Sequence, residues 1–131
     1  MKATKYISFG KVVAIAILIL GVIHDIATFT PIIQGGLLCL ASIDFNAIIY
    51  ISLICGTSLI LCGLLLIILF NKVEQYSFLF FPILVIGIFL MINGIIAVVY
   101  VPFNPPSWIV LFLSLIMFGI IIKLKSISNI N

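Results

Sequence analysis

The sequence predicts an all-α integral membrane protein, an antiparallel bundle of four transmembrane helices in a single domain over residues 1–131. Three observations predict it. Hydrophobic residues fill 66% of the 131 positions and charged residues only 7%, against about 45–50% and about 25% in soluble domains. Too few polar groups remain to cover a water-exposed surface. Four long apolar stretches follow one another, and the basic residues between them alternate in a way that only a membrane explains. Barrel strands would show period-two alternation, which these runs lack, so helices are the spanning form.

The first span is expected over residues 7–29. Its clean centre, Val12–Ile23, is too short alone, since a helix needs about 20 residues to cross about 30 Å of hydrocarbon. It reaches that length with Lys11 snorkelling inward and with His24 and Asp25 near its far end. No small-x-small pattern surrounds residues 24–32, so the segment reads as an uncleaved span and not as a signal peptide. The second span is expected over 47–70, the third over 77–101 and the fourth over 105–122.

The connections differ in character. NKVEQY at 71–76 is short and polar, which predicts that the second and third spans are antiparallel neighbours. VPFNPPS at 101–107 is as tight: Pro102 ends the third span, Asn104 is placed to cap the fourth, and Pro105 and Pro106 suit its first turn. Residues 30–46 form a long, half-apolar connection (IIQGGLLCLASIDF within it) broken by Gly35-Gly36. Such a composition predicts a short re-entrant or interface-lying segment over the outer mouth of the bundle.

Lys2, Lys5 and Lys11 open the chain, Lys72 lies between spans two and three, and Lys123 and Lys125 follow span four. The other two connections carry no basic residue. The positive-inside rule therefore places both termini and the 71–76 turn in the cytoplasm, with 30–46 and 102–104 outside. The expected location is multi-pass in the plasma (inner) membrane. The net charge of +3 is thus a signature of topology. Six lysines scattered over three regions make no nucleic-acid surface.

Small residues mark where helices approach in lipid, where water supplies no drive between them. Ser52, Cys55, Gly56, Cys62 and Gly63 form such a stripe on the second span, and Gly87 and Gly94, again seven apart, mark the third.

Candidates for chemistry are few. Cys55 and Cys62 stand two turns apart, roughly 10 Å, too far for a disulfide, and Cys39 has no near partner. The CxxC pair that quinone-linked disulfide oxidoreductases require is absent. No metal-ligand spacing, phosphate-cradling loop or nucleophile elbow occurs, and nothing calls for a cofactor. Small multidrug transporters share the size and helix count but carry a glutamate midway along the first helix, where this chain has none.

His24 is the only histidine and the one side chain titrating near neutrality. On a helix Thr28 shares its face, while Asp25 points about 100° away, a direction expected to lead to the outer headgroups. Ser52, Asn93 and Tyr100 fall at comparable depth on the second and third spans. Together they predict an outward-facing polar pocket with His24, Thr28, Ser52, Asn93 and Tyr100 as its site residues, His24 being the sole catalytic candidate.

The expectation that best fits is a non-catalytic lipid or small apolar molecule binding or accessory protein. Its partners would be membrane lipid, a small apolar ligand, and further copies or subunits of a larger complex. One alternative is an intramembrane enzyme using His24 as general acid/base on an apolar substrate. The other is a subunit of a proton-coupled transporter or channel; the inner half of the spans, almost free of polar groups, speaks against a continuous path.

Overall fold

The computed structural model describes residues 2–37, 39 and 41–128. Among them the chain is helical, with no strand. Four helices are long and apolar enough to cross a membrane: α1 (Lys2–Thr28), α3 (Ser42–Lys72), α4 (Phe80–Tyr100) and α5 (Pro105–Ser128). A short helix, α2 (Pro31–Leu37), lies in the first long connection, and a 3-10 turn at Ser77–Leu79 leads into α4.

The helices run further than the apolar stretches suggested. α1 begins in its lysine-bearing segment, and α3 begins at Ser42 with Asp44 in its first turn. Asp44 and Asn46 are therefore helical, a correction to the expected loop over 30–46; Leu38 and Leu40 of that stretch lie outside the described residues. Asp44 suits its place, because a carboxylate offsets the positive end of the helix dipole. Lys72 sits in the last turn of the same helix, where a cation is favoured.

The bundle has a terminal end, where the first turns of α1 and the last turns of α5 meet the turn at 73–76, and a loop end, which carries α2 and the turn at 101–104. Proline governs that turn. α4 stops at Tyr100, ahead of Pro102, and α5 starts on Pro105 and Pro106, as their fixed φ and missing N–H favour. Asn104 makes no side-chain cap, contrary to expectation. The prolines bring no N–H to accept, and the first available donor, Ser107 N–H, goes to the backbone carbonyl of Asn104 at 3.0 Å. Instead Trp108 ties the turn, donating Nε1–H to the Pro102 carbonyl at 2.9 Å.

Neighbour relations refine a second expectation. α3 and α4 touch only lightly despite their short connection; α1 packs on α3, α4 on α5, and α1 on α5 joins the two pairs. Small residues of α3 explain this, because Ser52, Gly56 and Gly63 face α1. A methyl on Gly21 would stand 2.7 Å from the Gly56 carbonyl oxygen, and one on Gly63 would stand 2.9 Å from that of Ala14. Gly21 meets Gly56 and Ala14 meets Gly63, one heptad apart on both helices, the spacing of left-handed packing. The glycines of α4 serve the other pair: Gly94 packs on the backbone of Leu111 and Gly87 on the Ile121 side chain. Between the pairs the core is apolar, with Ile17, Leu66, Phe70, Ile83, Leu90, Met117 and Ile121 almost fully enclosed.

Candidate functional site

Polar side chains gather at the loop end. The last turns of α1 carry His24 and Thr28 on one face, and α3 brings Ser52 against them. Thr28 is fully buried. Its hydroxyl donates to the His24 carbonyl at 2.9 Å, the i−4 bond that threonine commonly makes within a helix. It also lies 2.7 Å from Ser52 Oγ, and Ser52 Oγ lies 3.1 Å from His24 Nε2.

Proton counting orders this chain. A carbonyl only accepts, so the single proton of Thr28 is spent on His24 O. Between the two hydroxyls Ser52 must then be the donor, which spends its proton on Thr28. Ser52 has only lone pairs left for the imidazole, so His24 donates through Nε2–H. In its neutral form this ring keeps its lone pair on Nδ1.

Asp25 behaves differently from expectation. It turns towards α3 and away from the loop-end surface. Thr57 donates to its Oδ2 at 3.2 Å, while Oδ1 is enclosed without a hydrogen-bond partner. Gly56 makes the room: a side chain there would overlap the carboxylate. The 100° between His24 and Asp25 separates two contacts on the same neighbour, because α3 lies close enough for both to reach it.

A small cavity of about 50 Å³ opens beside His24. Its polar lining comes from every long helix and the 101–104 turn: His24 from α1, Cys55 and Ser58 from α3, Asn93 from α4, Asn104, and Ser107 from α5. Asn93 donates Nδ2–H to the carbonyl of Phe89 at 2.8 Å, and Ser58 donates to Cys55 O at 2.7 Å. Both satisfy their own helix, leaving Asn93 Oδ1 and the Ser58 lone pairs as acceptors.

Of the residues singled out in the sequence, His24, Thr28 and Ser52 come together by hydrogen bonds, and His24 and Asn93 line one cavity. Tyr100 stands apart at 79% exposure and does not line it. Ser58 and Ser107 escaped the sequence reading, and Asn104 entered it only as a cap. Ser58 follows Cys55 by three residues and so shares its face, a signal that was present; Ser107 was hidden by its place behind two prolines.

A larger cavity, about 250 Å³, lies at the terminal end between Ile7, Val73, Phe80 and Leu124, with Glu74 and Ser77 on its wall. Thr4 donates to Glu74 Oε1 at 3.2 Å and ties α1 to this turn. All three cysteines are free thiols, and among the described residues no group of three His, Cys, Asp or Glu side chains converges. Comparison with protein-family models, curated proteins and solved structures finds no match to the chain.

Proposed function

We propose that this is a non-catalytic membrane protein that binds a lipid or small apolar molecule at the loop end of its bundle. It would lie multi-pass in the plasma (inner) membrane, with both termini and the 73–76 turn in the cytoplasm. One observation carries the reading: polar side chains from all four long helices line one small cavity at the loop end. The lysines, all near the terminal end, support the orientation.

At about 50 Å³ the cavity holds a polar group and not a whole ligand, since drug-sized ligands occupy about 300–1,000 Å³. The rest of such a molecule must lie outside. The light contact between α3 and α4, both of which line the cavity, offers a side route for an apolar tail to rest in the bilayer.

The proton order of the His24 cluster weighs against Ser52 as a nucleophile, one form an enzyme could take. His24 Nε2 donates to Ser52, so it does not deprotonate it, and Asp25, which would orient a base, faces Gly56 and Thr57 instead.

The test is native mass spectrometry of protein purified in mild detergent. A retained apolar adduct is expected for the wild type and its loss for Asn93→Leu, which fills the cavity. Wild-type protein that flies without an adduct under conditions that preserve lipid complexes of other membrane proteins would reject the proposal.

A further inference from the structure

We infer that the loop-end cavity selects an uncharged hydroxyl headgroup, so that the ligand is a long-chain alcohol or a hydroxyl-headed lipid and not a phospholipid. The inference rests on the binding reading above and narrows it to a chemical class.

Volume comes first. About 50 Å³ is room for a few water-sized groups, since a cavity needs about 10–15 Å³ to hold one water. A hydroxyl, with the carbon that carries it, fits. A phosphodiester bearing its own headgroup does not.

Charge comes second. No lysine, arginine, aspartate or glutamate lines the cavity. An unpaired charge brought into an apolar interior is strongly disfavoured. The lining holds no permanently charged side chain to neutralise a phosphate, a carboxylate or an ammonium, His24 being engaged with Ser52, and the nearby Asp25 carboxylate is turned to Thr57 on the α1–α3 seam.

Hydrogen-bond complementarity comes third. His24 spends its Nε2–H on Ser52, Asn93 spends Nδ2–H on Phe89 O, and Ser58 spends its proton on Cys55 O. What these three retain is acceptor capacity: Nδ1, Oδ1 and hydroxyl lone pairs. Asn104 and Ser107, by contrast, make no side-chain hydrogen bond among the described residues and keep donors to give. A hydroxyl donates once and accepts twice, so it satisfies both kinds of neighbour. An ether, ester or ketone cannot donate and leaves the acceptors facing one another.

Photolabelling of the detergent-solubilised protein tests this with three probes of equal chain length. Each carries a diazirine on the carbon chain near its head, which is a hydroxyl, a primary amine or a phosphocholine. Mapping of the modified peptides is expected to place the alcohol on the segments around Cys55–Leu59 and Asn93–Ala97. Labelling should exceed that by either charged probe by at least about tenfold, equivalent to about 1.4 kcal/mol. Excess unlabelled hexadecanol should remove it, and Asn93→Leu and Ser107→Val should each reduce it. Equal or stronger labelling of these segments by the amine or the phosphocholine probe overturns the headgroup assignment while leaving amphiphile binding intact. Absence of labelling there by all three probes overturns both.

Discussion

Gly21 and Gly56 meet backbone to backbone across α1 and α3. A methyl on Gly21 would stand 2.7 Å from the Gly56 carbonyl oxygen and 2.9 Å from the backbone nitrogen of Ile60. This contact, repeated one heptad away at Ala14 and Gly63, is what holds the two helices close enough for Thr28 to reach Ser52. The hydrogen-bonded cluster at the loop end therefore depends on glycines that contain no functional group.

Gly21→Ala is expected to cost about 1–3 kcal/mol, the usual range for overpacking against atoms that cannot move aside. Two of the three nearest obstructing atoms are backbone, the Gly56 carbonyl oxygen and the Ile60 nitrogen, and the third is Ile60 Cγ1. Gly119→Ala is the control, because nothing lies within 4 Å of a Cβ at that position. It should be neutral or stabilising, by up to about 1 kcal/mol from helix propensity. Thermal unfolding of both variants in one detergent measures the difference, and equal behaviour would refute the role given to the α1–α3 contact.

The Thr28–Ser52 contact should appear as a coupling energy. Thr28→Val and Ser52→Ala each remove one hydroxyl, and the double variant removes the pair. A double-mutant cycle is expected to give a favourable interaction of about 0.6 kcal/mol, the average for hydrogen bonds between membrane helices. Strictly additive effects would mean that the two hydroxyls do not hold each other.

How far the sequence disclosed all this depends on what periodicity encodes. Spacing within one helix was readable: the seven-residue repeats of Gly56 with Gly63 and of Gly87 with Gly94 do mark packing faces, and His24 and Thr28 do share one. Which helix lies opposite was not readable. The short 71–76 connection suggested α3 against α4, but a turn constrains only where a helix begins, whereas backbone approach along its length decides its partner. The same gap misplaced Asp25 and Tyr100. A direction 100° from His24 means little until the position of α3 is known. Tyr100, two turns from Asn93, ends α4 at the rim and turns outward.

Asp25→Asn separates shape from charge. The carboxylate has one oxygen bonded to Thr57 and one enclosed without a donor, and a buried polar atom left unpaired costs about 1–3 kcal/mol. The amide keeps the outline, removes the charge and adds a donor beside the Gly21 carbonyl, which borders the same notch. Unchanged or raised thermal stability is expected. A clear loss would show that the negative charge itself is needed, held by something the helices do not supply.

The orientation in the membrane can be read from the cysteines. Cys39 lies exposed in the turn between α2 and α3, whereas Cys62 is buried within α3. In the proposed orientation, with the lysine-rich terminal end in the cytoplasm, the turn carrying Cys39 faces outward. A membrane-impermeant maleimide added to intact cells should then modify a variant that retains only Cys39. A variant retaining only Cys62 should stay unmodified even after the cells are opened, because burial protects it in either orientation. Modification of Cys39 only after the cells are opened would invert the topology, and would put the His24 cavity on the cytoplasmic side.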